Sequence, residues 1–155
     1  MRIIYLCINT AARFFASAVF LAGSVKNIMS WHETEKNIMS VLSDWQSHLG
    51  ALQEVQLFFS FLISWSSVLL LIATFLMLAG GLLLLLGVKE RLGISLLIIF
   101  LIPATILYHP FWWVEGVEHE LQAVMFLKNF AILGCLLQIL FRAQPEPVLR
   151  MDRFS

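Results

Sequence analysis

Residues 57–88 read LFFSFLISWSSVLLLIATFLMLAGGLLLLLGV, without one charged side chain. A helix needs about 20 apolar residues to cross roughly 30 Å of hydrocarbon, so this run predicts a transmembrane helix over 57–87 with length to spare. Outward from it, a second uncharged run starts at Leu92 and stops at Tyr108. There His109-Pro110 ends the helix, because proline disfavours helical geometry in the residue before it. Residues 3–25 and 121–141 are also apolar, each interrupted once, by Arg13 and by Lys128. The pattern predicts an all-α fold, an integral membrane four-helix bundle with spans at about 3–25, 57–87, 92–108 and 121–141.

Composition agrees. The 155 residues suit a single domain. Apolar residues make up 60% and charged residues only 13%, against about 25% charged in ordinary soluble domains, and the mean hydropathy is +0.87. Ten basic residues balance ten acidic ones, so there is no net positive field to gather nucleic-acid phosphates, and no nucleic-acid partner is expected. Cys7 and Cys135 sit in apolar runs with no Cys-x-x-Cys spacing, which excludes a self-contained dithiol centre. Arg2 before an apolar stretch ending in Ala22-Gly23-Ser24 imitates a secretory signal, but Arg13 in its middle argues for a retained first span.

Between the first two spans, over 33–56, Ile38, Val41, Leu42, Trp45, Leu49, Leu52 and Val55 recur at three- and four-residue intervals among polar neighbours. That periodicity predicts an extra amphipathic helix, lying on the membrane surface or covering the bundle as a lid. Trp31, Trp45, Trp112 and Trp113 fall near the same boundary, the level that indole rings prefer. Four spans would bring Arg2, Lys89, Arg91, Arg142, Arg150 and Arg153 to one face, which predicts both termini, with a tail over 142–155, on the cytoplasmic side. The opposite face collects Glu33, Glu35, Asp44, Glu54, Glu115, Glu118 and Glu120 with all four histidines.

Small residues predict where the spans touch, since lipid tails are as apolar as leucine and close packing must hold the helices together. Ala12 with Ala16, Ala18 with Ala22, Ala79-Gly80-Gly81 with Gly87, and Ala131 with Gly134 supply such patches. Pro103 has no amide hydrogen for the Ile99 carbonyl, so the third span should bend there and open a cavity or simply pack around the bend.

Counting from Ile3 puts Arg13 about 15 Å into its span, near the midplane, with no acidic residue inside any span to meet it. Thr74 and Asn129 are expected at comparable depth. A guanidinium there should face the bundle interior. Two readings follow. In one, Arg13, Lys128, Asn129, Thr105 and Tyr108 line a polar pocket that takes an electron-rich group such as a quinone carbonyl or an anion. In the other, Arg13 ties helices together through neutral acceptors while Lys128 snorkels to headgroups. Glu115 and His119, four apart on one helix face, could approach one cation together with His109, although the spacing matches neither His-Glu-x-x-His nor Glu-x-x-His.

The order of these features resembles the DoxX family of small bacterial membrane proteins. Arg13 with the apolar stretch to Ala22-Gly23 and Lys26 resembles its opening pattern. Residues 77–87 (MLAGGLLLLLG) are similar to its second-span block and residues 126–134 (FLKNFAILG) to its last-span block, with His109-Pro110-Phe111-Trp112 after the third span. The resemblance implies a four-helix protein of the bacterial inner membrane linked to oxidoreductase systems. Family members include the small membrane subunit of a thiosulfate:quinone oxidoreductase and membrane partners in assemblies handling oxidative and thiol stress. The family often carries a glutamate where this chain has Met77, which implies that Arg13 here lacks that acid. The expected function is an accessory membrane subunit of a redox system, quinone-linked, with no intrinsic cofactor and no self-contained catalytic centre. Its partners would be the lipid bilayer and a second protein or a further copy of itself. A small-solute or metal-handling transporter subunit and a ligand-free membrane anchor are the alternatives.

Overall fold

The structure, a computed structural model, describes residues 2–142, with side chains from Ile8 to Phe141 except Asn9. The tail expected over 142–155 lies outside the described side chains. Every regular element among the described residues is helical: α1 (Arg2–Met29), α2 (Trp31–Leu49), α3 (Gln53–Ser64), α4 (Ser66–Leu86), α5 (Glu90–Tyr108) and α6 (Gly116–Arg142), with a 3-10 turn at Phe111–Trp113. Ser66–Leu86, Glu90–Trp113 and Gly116–Phe141 are each long and apolar enough to cross a membrane. α1, at 28 residues, runs antiparallel to α4.

The uncharged run 57–88 is not one helix. It divides at Trp65, where φ −106° and ψ 19° leave helical geometry, so the span expected over 57–87 is α4 alone and α3 is separate. Ser66 and Ser67 open α4, and both hydroxyls donate to the carboxylate of Glu35 on α2, Ser66 at 3.5 Å. An acid from a neighbouring helix thus sits at the positive N-terminus of α4, where exposed amides and the helix dipole favour it. The amphipathic segment expected over 33–56 likewise divides at Gly50, into α2 and the start of α3.

α4 is the central element. A methyl group on Gly80 would lie 2.8 Å from Leu97 and 2.9 Å from the Gly93 carbonyl, and one on Gly81 would lie 2.9 Å from Leu21. The two adjacent glycines therefore admit α5 on one face and α1 on the other, the close approach that packing in lipid requires. The core follows this contact: Phe20, Met77, Leu84, Ile94, Leu97, Leu101 and Leu136 are buried. α6 packs chiefly on α5 and turns most of its apolar surface outward. Ala131 and Gly134 face away from the bundle instead of packing within it, and nothing approaches Gly134.

α2 lies across one end of the bundle, against α1, α4 and α5. Glu35 holds it at the start of α4, and the Trp45 indole N–H donates to the Leu107 carbonyl, 3.0 Å away, at the end of α5. Trp113 packs edge-on against Trp45 at 4.6 Å and stacks on His48 at 4.7 Å.

Candidate functional site

Pro103 stands inside α5, and beside it α5 and α6 part to leave a cavity of about 140 Å³. Leu101, Ile102, Thr105 and Ile106 line it from α5, and Phe126, Asn129, Phe130 and Leu133 from α6. The spacing explains the lining: positions 101, 102, 105 and 106 form one face of a helix, as do 126, 129, 130 and 133. The wall is apolar almost throughout. The Thr105 hydroxyl donates 2.6 Å back to the Leu101 carbonyl, so its proton is committed inside its own helix. Phe126 and Phe130 stack at 4.9 Å on the α6 side. A dry cavity of about 150 Å³ lined by leucine, isoleucine and phenylalanine takes a single six-membered ring, which sets the size of group this space can hold.

Of the five residues expected to share one polar pocket, Thr105 and Asn129 meet at this cavity. Tyr108 ends α5 and is not part of the lining. Lys128 is exposed on α6 with its ammonium 3.1 Å from the Met125 sulfur. Arg13 is at the other end of the bundle. Its guanidinium is paired with Glu90 at the start of α5 and rests on Gly87, where an added methyl group would lie 2.8 Å from it. Thr105 is fifteen residues further along α5, about 22 Å away.

Arg13 is therefore neither at the midplane nor without an acid. Counting from Ile3 misplaces it because α1 runs past the α4–α5 turn, so that Arg13 is level with the helix ends. Glu90, between Lys89 and Arg91, falls just outside the span expected to start at Leu92; its position in the first turn of α5 was the signal available. Met77, where the family often has glutamate, packs beside Gly23, and its sulfur lies 4.0 Å from the Asn27 amide nitrogen, which also donates to Thr74 at 3.2 Å. Met77 is remote from Arg13, so the missing acid leaves this arginine unaffected. Glu35 and Asn27 are further polar anchors that the sequence reading did not single out; Ser64-Trp65-Ser66-Ser67 was the helix-start signal for the former.

The three residues considered for a metal do not assemble. His109 Nδ1 is 2.8 Å from the Gln122 side-chain oxygen and His119 Nδ1 donates to the Phe111 carbonyl at 2.7 Å, while Glu115 is exposed. Among the described residues no three His, Cys, Asp or Glu side chains are grouped to hold a metal ion.

The DoxX family model matches residues 8–110, about two thirds of the chain. The chain belongs to the DoxX family. No curated protein and no solved structure matches it. With its apolar helices, family membership makes it a membrane protein. The DoxX match covers α1 to α5 and stops at Pro110. The cavity thus has one wall inside the DoxX region and the other on α6, beyond it, where the block 126–134 lies.

Proposed function

We propose that this DoxX protein is an accessory membrane subunit of a redox system in the bacterial inner membrane, and that the α5–α6 cavity receives the ring of a membrane quinone. The observation that carries this reading is a ring-sized apolar space between two membrane helices with a carboxamide, that of Asn129, in its wall. Phe126 and Phe130 offer aromatic faces to a flat ring, Leu101 and Leu133 exclude water, and the cavity suits the ring better than the anion first considered, because its wall carries no charge. Asn129 is the residue able to donate to a quinone carbonyl. A quinone would supply two-electron transport through the membrane; the chain contributes a site and an orientation, and the partner protein contributes the electron-transfer centre.

The test is quinone content. Full-length protein purified in mild detergent from bacterial membranes should carry quinone above the level of an unrelated membrane protein prepared alongside. Leu133→Trp, which fills the cavity, should abolish the excess, and Asn129→Leu should reduce it while leaving the fold intact by circular dichroism. Equal quinone in wild type and Leu133→Trp would refute the site and leave the ligand-free anchor.

A further inference from the structure

We infer that α3 is a membrane-surface arm, embedded among the acyl chains of the leaflet at the α2 end of the bundle, with Leu57, Phe58, Phe61 and Trp65 turned into the lipid. At 12 residues it is about 18 Å long and cannot cross roughly 30 Å of hydrocarbon. Its course is set by two pins on α2. Gln46 donates from Nε2 to the Gln56 carbonyl at 3.0 Å and to the Ser60 hydroxyl at 2.9 Å, while Glu35 accepts from Ser66 and Ser67 just beyond the far end of α3. These pins make α3 antiparallel to α2, which itself lies across the ends of α1, α4 and α5. The break at Trp65 is what lets the chain leave the α4 direction to follow it.

The side-chain distribution names the partner. Phe59 is buried, at 7% exposure, whereas Leu57, Phe58, Phe61 and Trp65 are 64%, 58%, 56% and 51% exposed. Of the polar groups near that outward face, the Ser60 hydroxyl accepts from Gln46 and the Ser64 hydroxyl donates to the Ser60 carbonyl at 2.9 Å, while Glu54 is exposed on the same face at the very start of α3, four residues before Phe58. The face is also continuous past Trp65 with the outward apolar residues of α4, Val68, Leu71, Ile72 and Phe75, which lie on a membrane span. A helix whose outward apolar surface carries a single acidic residue, Glu54 in its first turn, fits the acyl-headgroup boundary, with Glu54 at the headgroups and Trp65 at the level indoles prefer. This holds whether or not the α5–α6 cavity binds a quinone.

The test uses the full chain in phosphatidylethanolamine/phosphatidylglycerol vesicles. Cys7 and Cys135 are replaced by serine and an environment-sensitive fluorophore is placed through Phe58→Cys or Phe61→Cys, with Ser47→Cys on exposed α2 as the reference. Both α3 side chains are exposed, so replacing them removes little internal contact. At 58 and 61 the expected result is blue-shifted emission, quenched more by lipid with a nitroxide near the headgroup end of its acyl chain than by one near the chain terminus, and insensitive to aqueous iodide. The Ser47→Cys label should show the reverse, quenching by iodide. Iodide quenching at 58 and 61 would put the face in water. Insensitivity to both nitroxides would mean a protein covers it, and stronger quenching by the deep nitroxide would make α3 part of a span; each overturns the proposal.

Discussion

Arg13 and Glu90 are 77 positions apart and meet where α1 passes the start of α5. Each side chain keeps about a fifth of its surface exposed, 21% and 24%, so removing one partner should cost less than it would in a fully buried pair and more than in a solvated one. Glu90→Gln should destabilise the folded protein in detergent by about 1–3 kcal/mol, because it leaves a guanidinium facing a weaker acceptor. Arg13→Met combined with Glu90→Leu should cost less than the sum of the two single changes, read as a double-mutant cycle in chemical unfolding. Gly87 belongs to the same corner: its φ of +70° ends α4, with the Val88 amide donating back to the Leu83 carbonyl at 3.1 Å. Gly87→Ala should cost about 1–2 kcal/mol for the left-handed backbone alone, and more once the methyl group displaces Arg13. The sequence announced that Arg13 needed a partner, but not which one, since the choice depends on how far α1 slides along α4.

At the scale of elements, the sequence marks apolar helices well and divides them poorly. Residues 57–88 are uniform by hydropathy, and the division at Trp65 coincides with a carboxylate that another helix brings to Ser66 and Ser67. Glu35→Gln should leave α4 formed but loosen α2 and α3, visible as faster amide hydrogen exchange in residues 31–64 with little change in 66–86. The glycine pair was legible because apolar helices in lipid hold one another largely through close packing at small residues, and Gly80 and Gly81 indeed receive α5 and α1. Gly80→Leu should cost about 1–3 kcal/mol through overpacking, as the Gly93 carbonyl cannot rotate away as a side-chain end could. Pro103 pointed to the right stretch of α5 for a cavity, while its α6 wall could not be read, since nothing in a single helix states which neighbour it faces.

Across the whole molecule, α1 and α4, α4 and α5, and α5 and α6 run in alternate directions, which places the start of α1, the α4–α5 turn and the end of α6 at one end. With Lys89 and Arg91 at that turn, a fluorescent reporter fused after Ser155 should mature inside the cell, and a label on Glu115→Cys should react from outside; the opposite pattern would reverse the orientation. The sequence by itself determined the all-α class, the affinity for lipid and the family, because transfer of apolar side chains out of water sums along the chain whatever they later touch. Only the tertiary structure decided that Arg13 meets Glu90, that Thr105 and Asn129 line one apolar space, and that α3 leaves the line of α4. Those outcomes depend on the register between helices, which small residues permit at several settings and which only the packed whole selects.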